Sequence, residues 1–442
     1  MLQRPVARAA LGVVTLAILA LLFAHPPPIA AQDFNAFYCA GRLLPEGVDP
    51  YRYGPLERCE LANLRSSVAN SVVPAPLPPY AIALVVPLAT LTYAQAALAW
   101  WLLLLAATIV VIWAIVELTA LPLGLVALCV VPATLLKSLP VGALAPIPIA
   151  LLGASAVAIA RQRWSAAALL MGAACIEPHM ALPVLASAFV LAPRMRVPLG
   201  IVAVALAALS LVAGPALGVE YLRDVLPAHA LSELATAEQY SLSAALHFAG
   251  AGDRLAISLG TLQYALFAVG GVWLAMRLRA RMPAAVVLAP MACAVAGGTF
   301  IHITQIAAAL PFALALAAQN QTRLAWAAVA LVAIPWQSMI ENGTFIFAGI
   351  VVAAVLAYRQ CRLPIAIGAA GLVVATMWGI RAIAPPPPNV VAIAALPAGA
   401  LAEFAWKALA DQFPPTWVTW LGHSVTYAGL GALFASALLT QP

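Results

Sequence analysis

Charge is what this chain has least of. Of its 442 residues, 21 are Lys or Arg and 15 are Asp or Glu, together 8%, against 65% hydrophobic residues and a mean hydropathy of +1.02. No hydrophilic stretch is long enough to fold as a soluble domain. The patterns of soluble enzymes are missing too: there is no phosphate-cradling glycine loop, HExxH, CxxC or GxSxG. The six cysteines show no metal-ligand spacing, and no repeat of fixed period is visible. The net charge of +6 comes from short basic clusters between apolar runs, so it reports membrane topology rather than a nucleic-acid footprint.

What is present is a series of apolar runs, many reaching the roughly 17–25 residues that cross a bilayer. The chain is therefore expected to be all-α, a polytopic membrane helical bundle of about 12–14 spans. Arg4/Arg8, Arg161/Arg163, Arg194/Arg196, Arg277/Arg279/Arg281, Arg323 and Arg359/Arg362 mark the cytoplasmic side. Spans at 7–24, 95–117, 121–137 and 142–160 carry the chain from Arg8 to Arg161 with the right parity. Residues 78–92 are too short to cross comfortably and contain Pro87, so they are expected to form a re-entrant or surface helix lining an outer site. Residues 164–192, split by Glu177-Pro178-His179, read as a hairpin of two short helices with its tip outside.

A span at 197–215 leads to a second long outer loop, 216–254. Further spans are expected at 255–276, 283–300, 301–318, 323–340, 344–357, 363–383 and 417–439. A third outer segment starts at Pro385 to Pro388, and 397–411 reads as a surface helix. Residues 1–31 have the outline of a signal peptide, but His25-Pro26-Pro27-Pro28 and Ile29 are unlike a cleavage region, which favours a retained span. The long loops, 25–94 and 216–254, and the hairpin tip all lie on one face.

That face gathers the polar residues. Asp33 opens the stretch Asp33-Phe34-Asn35-Ala36-Phe37-Tyr38 just past the first apolar run, where a membrane enzyme would keep a general base. The bland alternative is a helix N-cap and nothing more. Residues 34–44 place Phe34, Phe37, Tyr38, Gly41 and Leu44 on one helical face and Asn35, Cys39 and Arg42 opposite, which fits a helix lying in the interface. Lys137 ends a span just before Gly142. Arg42, Arg52, Arg58, Arg65, Arg223 and Arg254 are outer-side cations; singly they suit lipid headgroups, together an anionic substrate. His302 begins a span, and Glu177 is a costly carboxylate at membrane depth, able to pair with Lys137 or to bind a hydroxylated substrate. Cys39 and Cys59 share one outer loop, and their spacing leaves open whether they pair.

At these residues the chain resembles bacterial membrane glycosyltransferases of the GT-C superfamily, in particular the polyprenol-phosphate-mannose-dependent α-mannosyltransferases. The run from Asp33-Phe34 through Phe37-Tyr38, Ala40-Gly41-Arg42-Leu43-Leu44, Gly47 and Asp49-Pro50-Tyr51 carries the likeness. Pro78-Pro79-Tyr80, Pro87-Leu88, Gly142, Glu177-Pro178, Ser241-Leu242-Ser243 and His302 extend it. The resemblance implies a GT-C catalytic module over 1–254, with outer juxtamembrane helices, and a C-terminal transmembrane module over 255–442. It implies inverting or retaining transfer of a hexose or pentose, mannose favoured, from a polyprenyl-phosphate donor. The acceptor is a lipid or glycan hydroxyl at the extracytoplasmic face of the cell membrane. Asp33 takes the place of the base, and Lys137, Glu177, His179, Arg223, His302, Tyr38, Arg42 and Tyr80 are candidate donor-phosphate or substrate contacts. No cofactor is expected, and the reaction is expected to need no metal. Two positions depart from the pattern: Ala143 stands where the family usually has Gln, and Glu177 where it usually has Lys. A secondary transporter or a non-catalytic lipid-binding membrane protein is the alternative.

Overall fold

The structure, a computed structural model, describes residues 32–63, 75–384 apart from Ala235 and Ala237, and 415–440. The expected first span, the leader alternative, Arg65, the Pro385–Pro388 segment and the surface helix at 397–411 lie outside the described residues.

Helices build nearly everything described. In chain order they are α1 (Gln32–Leu43), α2 (Tyr53–Asn63), α3 (Pro79–Ala89), α4 (Tyr93–Thr119), α5 (Leu123–Leu135), α6 (Ser138–Val141), α7 (Pro146–Ala160), α8 (Trp164–Ala174), α9 (Pro178–Leu191) and α10 (Arg196–Ala213). They continue as α11 (Pro215–Glu220), α12 (Leu226–Glu233), α13 (Leu242–Phe248), α14 (Asp253–Leu278), α15 (Ala285–Gly297), α16 (Leu310–Asn320), α17 (Arg323–Val332), α18 (Trp336–Asn342), α19 (Ile346–Tyr358), α20 (Leu363–Ile383) and α21 (Trp417–Leu439). The chain is a polytopic helical bundle, as its apolar runs require.

Among the described residues, five stretches are long and apolar enough to cross a bilayer: Tyr93–Thr119, Leu123–Val141, Pro193–Ala213, Asp253–Leu278 and Leu363–Ile383. A sixth is the pair α17 and α18, bent by 45°. Seven further apolar helices run only 10–17 residues, so the 12–14 expected segments are present in large part as short or broken pieces. Proline explains much of this, because it lacks an N–H and starts a helix better than it continues one. Pro146 and Pro178 stand at the first positions of α7 and α9, and Pro335 lies in the α17–α18 break.

At the centre lies α15, every residue of which is buried, packed against α14, α9 and α7; α5 and α16 also have nearly continuous buried faces. Small side chains let α14 approach it closely. A Cβ on Gly271 would lie 2.6 Å from Pro290 Cα, and one on Gly297 would lie 2.3 Å from Phe267 Cβ. Two expectations are corrected here. The segment 216–254 is not a plain loop: α11, a π-helical turn at Tyr221–Val225, α12 and α13 occupy most of it, burying Tyr221, Val225 and Ala230. Nor does α1 turn an exposed polar side outward, as its periodicity suggested. Phe34 to Gly41 are buried, Asn35 and Cys39 included, and Arg42 is exposed.

The burial of α1 has clear causes. Phe34 stacks on Trp100 at 5.0 Å and on Tyr93 at 6.1 Å, and Tyr38 meets Tyr93 edge-on at 5.3 Å. Tyr38 donates its hydroxyl to Leu91 O (2.8 Å), and Trp100 Nε1 donates to Gly142 O (2.9 Å). On the other side a Cys39–Cys59 disulfide joins α1 to α2, settling the pairing that spacing left open. Asn35 Nδ2 donates to Glu60 O (3.2 Å), and its Oδ1 accepts from Asn63 Nδ2 (2.9 Å), so the buried amide is satisfied. The close contact at Gly271 generates a prediction: Gly271→Val overpacks the α14–α15 contact and costs about 1–3 kcal/mol, read as a lower thermal midpoint in detergent.

Candidate active site

Three parts of the chain meet where Asp33 emerges. The first is the start of α1, with Asp33 inside its first turn rather than at the capping position. The second is the junction of α5 and α6, carrying Lys137, since α6 packs on α1. The third is a backbone join between residues 239–240 and 301–302. Gln239 and His302 form an isolated antiparallel bridge, and Tyr240 N donates to Ile301 O at 2.6 Å. This join brings the polar end of α12 beside the segment that opens the next apolar stretch.

The resulting polar residues form two bonded sets that adjoin at Glu238-Gln239. Lys137 Nζ lies 2.6 Å from Glu238 Oε1. His302 Nε2 lies 3.4 Å from Glu233 Oε2 and 3.1 Å from Gln239 Nε2, and Gln239 Nε2 also donates to Glu233. The other oxygen of Glu233 is 3.5 Å from His229 Nδ1. The backbone N–H of His302 donates to Gln305 Oε1 (2.9 Å), and Gln305 Nε2 reaches Glu177 Oε2 at 3.5 Å. Asp33 is electrostatically coupled to His302, Glu238, Lys137 and Glu233, and Glu177 to Asp33.

Burial raises Asp33 to about 6; His302 and Lys137 pull it down while Glu238 and Glu233 push it up. Glu177, in the break between α8 and α9, is raised to about 8 by burial, partly offset by Gln305 and reinforced by Asp33. At neutral pH one carboxyl is therefore largely ionised and its neighbour largely protonated. Asp33 can accept a proton; Glu177 can donate a hydrogen bond. Among the described residues, no three His, Cys, Asp or Glu side chains gather as metal ligands.

Other candidates fall elsewhere. Arg223 has an 80% exposed side chain 3.8 Å from Asp224 and stays outside the cluster. Tyr38 and Arg42 line a separate groove of about 520 Å³, together with Glu46, Asn63, Thr92 and Tyr93. Tyr80 donates to Cys175 O (2.7 Å), tying α3 to the hairpin just before Glu177. His179 lies two residues beyond Glu177, electrostatically beside His302 and His229. Glu177 does not take up Lys137, whose partner is Glu238. Arg52 bonds Asp49 (2.7 Å) and Glu220 (2.6 Å), fastening the segment before α2 to the end of α11.

A family model, Glycosyltransferase family 87, matches residues 77–302, just over half of the chain. The chain belongs to this family. Its members are GT-C-like membrane glycosyltransferases, so this family 87 protein is a transferase that works in a membrane between a sugar donor and an acceptor. The match takes in Lys137, Glu177, Glu233 and Glu238 and ends at His302, while Asp33 precedes it. No curated protein and no solved structure matches the chain.

Sequence reasoning missed Glu233, Glu238 and Gln239. The signal was there: two carboxylates within six positions of a chain with so few charges. Their pairing gives a test. Lys137→Ala and Glu238→Ala should be non-additive in stability, with a coupling of about 1 kcal/mol given partial exposure, measured in a double-mutant cycle by thermal denaturation.

Proposed function

We propose that this family 87 protein transfers a hexose or pentose, mannose favoured, from a polyprenyl-phosphate donor to a lipid or glycan hydroxyl at the extracytoplasmic face of the membrane. The observation that carries this reading is the convergence of Asp33, Lys137 and His302 from distant parts of the chain. Asp33 removes the acceptor's proton as its oxygen attacks the anomeric carbon, a step worth about 10²–10⁴-fold. The leaving phosphate departs as an anion, so it needs positive charge rather than a proton donor. In this reading Lys137, paired with Glu238, supplies that charge, and His302, beside Glu233, offers the phosphate a hydrogen bond. Residues 1–254 act as the catalytic module, with α3 beside the lipid path, and 255–442 as the supporting one. The Cys39–Cys59 disulfide supports the extracytoplasmic assignment, because such bonds persist in oxidising compartments.

The decisive experiment is transfer from labelled polyprenyl-phosphate sugars in membranes. Asp33→Asn should lower turnover by about 10²–10⁴-fold with normal expression; undiminished turnover removes Asp33 as the base. The base works ionised, so kcat/KM should fall as one proton is added below a midpoint near 6, the value to which burial raises Asp33. A pH–rate profile flat from 5 to 8 would contradict that role, the window being about a unit or more either side. Sidedness is checked by alkylating single cysteines in a Cys361→Ser background. Ala249→Cys should react with an impermeant reagent in intact cells and Ser165→Cys after permeabilisation alone.

A further inference from the structure

The cluster around Asp33 has two ends of different chemistry. One end holds the cation Lys137 and the carboxylate-braced His302. The other is the hairpin tip, where Glu177 is 8% exposed and its hydrogen bond to Gln305, at 3.5 Å, is long. A buried ionised carboxylate without a cation is costly, whereas a protonated one offers both an O–H donor and an acceptor oxygen. Burial keeps Glu177 in the protonated form at neutral pH.

Two positions on, His179 Nε2 is buried with no hydrogen-bond partner. Its backbone is fixed, since Tyr264 donates its hydroxyl to His179 O at 2.6 Å. Buried polar atoms in native structures are almost always satisfied, so an orphaned imidazole nitrogen beside His302 and the Asp33 cluster points to a ligand group. Gln305 is pinned as well, its Oε1 committed to the His302 N–H, which leaves Nε2 for the tip. A neutral acid, an imidazole and an amide N–H match hydroxyl groups, which donate and accept at once. They do not match a phosphodiester anion, which asks for positive charge.

We propose that Glu177 and His179, backed by Gln305, form a hydroxyl-binding subsite for the sugar being transferred, so that sugar identity is read at the hairpin tip while the phosphate is held at the Lys137 end. The inference rests on the transferase reading above. It makes Glu177 a specificity residue through hydrogen bonding. Loss of a hydroxyl partner leaves buried polar groups unpaired, and that is what discriminates against an analogue lacking the hydroxyl.

The test compares donors on one enzyme preparation. The best donor of a polyprenyl-phosphate hexose and pentose panel is set against its monodeoxy analogues. The wild type should favour the parent over at least one deoxy analogue by about 10–100-fold in kcat/KM. In Glu177→Ala, and separately in His179→Ala, that ratio should fall toward one, while Glu177→Gln keeps a large part of it. Because the readout is a ratio, a partly misfolded variant does not distort it. An unchanged ratio overturns the proposal, as does a Glu177→Lys variant that raises kcat/KM equally for every donor, since that places the residue at the phosphate. Transfer that depends on Asp33 with an unchanged ratio sinks this inference alone. Absence of transfer from any donor by the wild type sinks the transferase reading and this inference with it.

Discussion

One short backbone contact organises the polar side of this molecule: the antiparallel pairing of Gln239 with His302, reinforced by the Tyr240 N–H on Ile301 O. Without it, Glu233, Glu238 and Gln239 would belong to one connecting segment and His302 with Gln305 to another. With it, a carboxylate reaches His302, a second reaches Lys137, and Gln305 extends the chain to Glu177. In an apolar protein each such group is expensive to bury alone, so mutual satisfaction is the condition for having them there at all. The bridge supplies geometry, and the side chains supply the compensation.

The helix bearing Asp33 is constrained from two directions. Aromatic packing on Tyr93 and Trp100 fixes its height against α4, and the disulfide with Cys59 fixes its rotation against α2. A base must be held within a fraction of an ångström of its target to be effective, so this double restraint is in proportion to the role proposed for it. The same logic separates the two carboxyls that matter. Asp33 shares its surroundings with Lys137 and His302; Glu177 has an amide for company. Environment thus divides one functional group into a proton acceptor and a hydrogen-bond donor.

Much of the fold was legible in the sequence. The apolar runs read at 363–383 and 417–439 are helices over those residues, and the hairpin broken at Glu177-Pro178 is there, because apolar length and proline act locally. What was not legible depends on contacts far apart in the chain. The helices inside 216–254 are short and draw on tertiary burial of Tyr221 and Val225, and the partner of Lys137 lies 101 residues away. For α1, hydrophobic periodicity suggested a surface helix, whereas Asn35 and Cys39 are buried because Asn63 and Cys59 meet them. Of the site, Asp33, Lys137, Glu177 and His302 came from the sequence; Glu233, Glu238 and Gln239 emerged with the fold.

The Cys39–Cys59 cross-link also bears on biogenesis. Thiols emerging from synthesis are reduced, and the bond closes after they reach an oxidising environment. Until then the helix bearing Asp33 is held by its aromatic seating and by the hydrogen bonds of Tyr38 and Asn35, with no covalent tie to α2. Oxidation thus adds to the seating of Asp33 a covalent restraint that the reduced chain lacks.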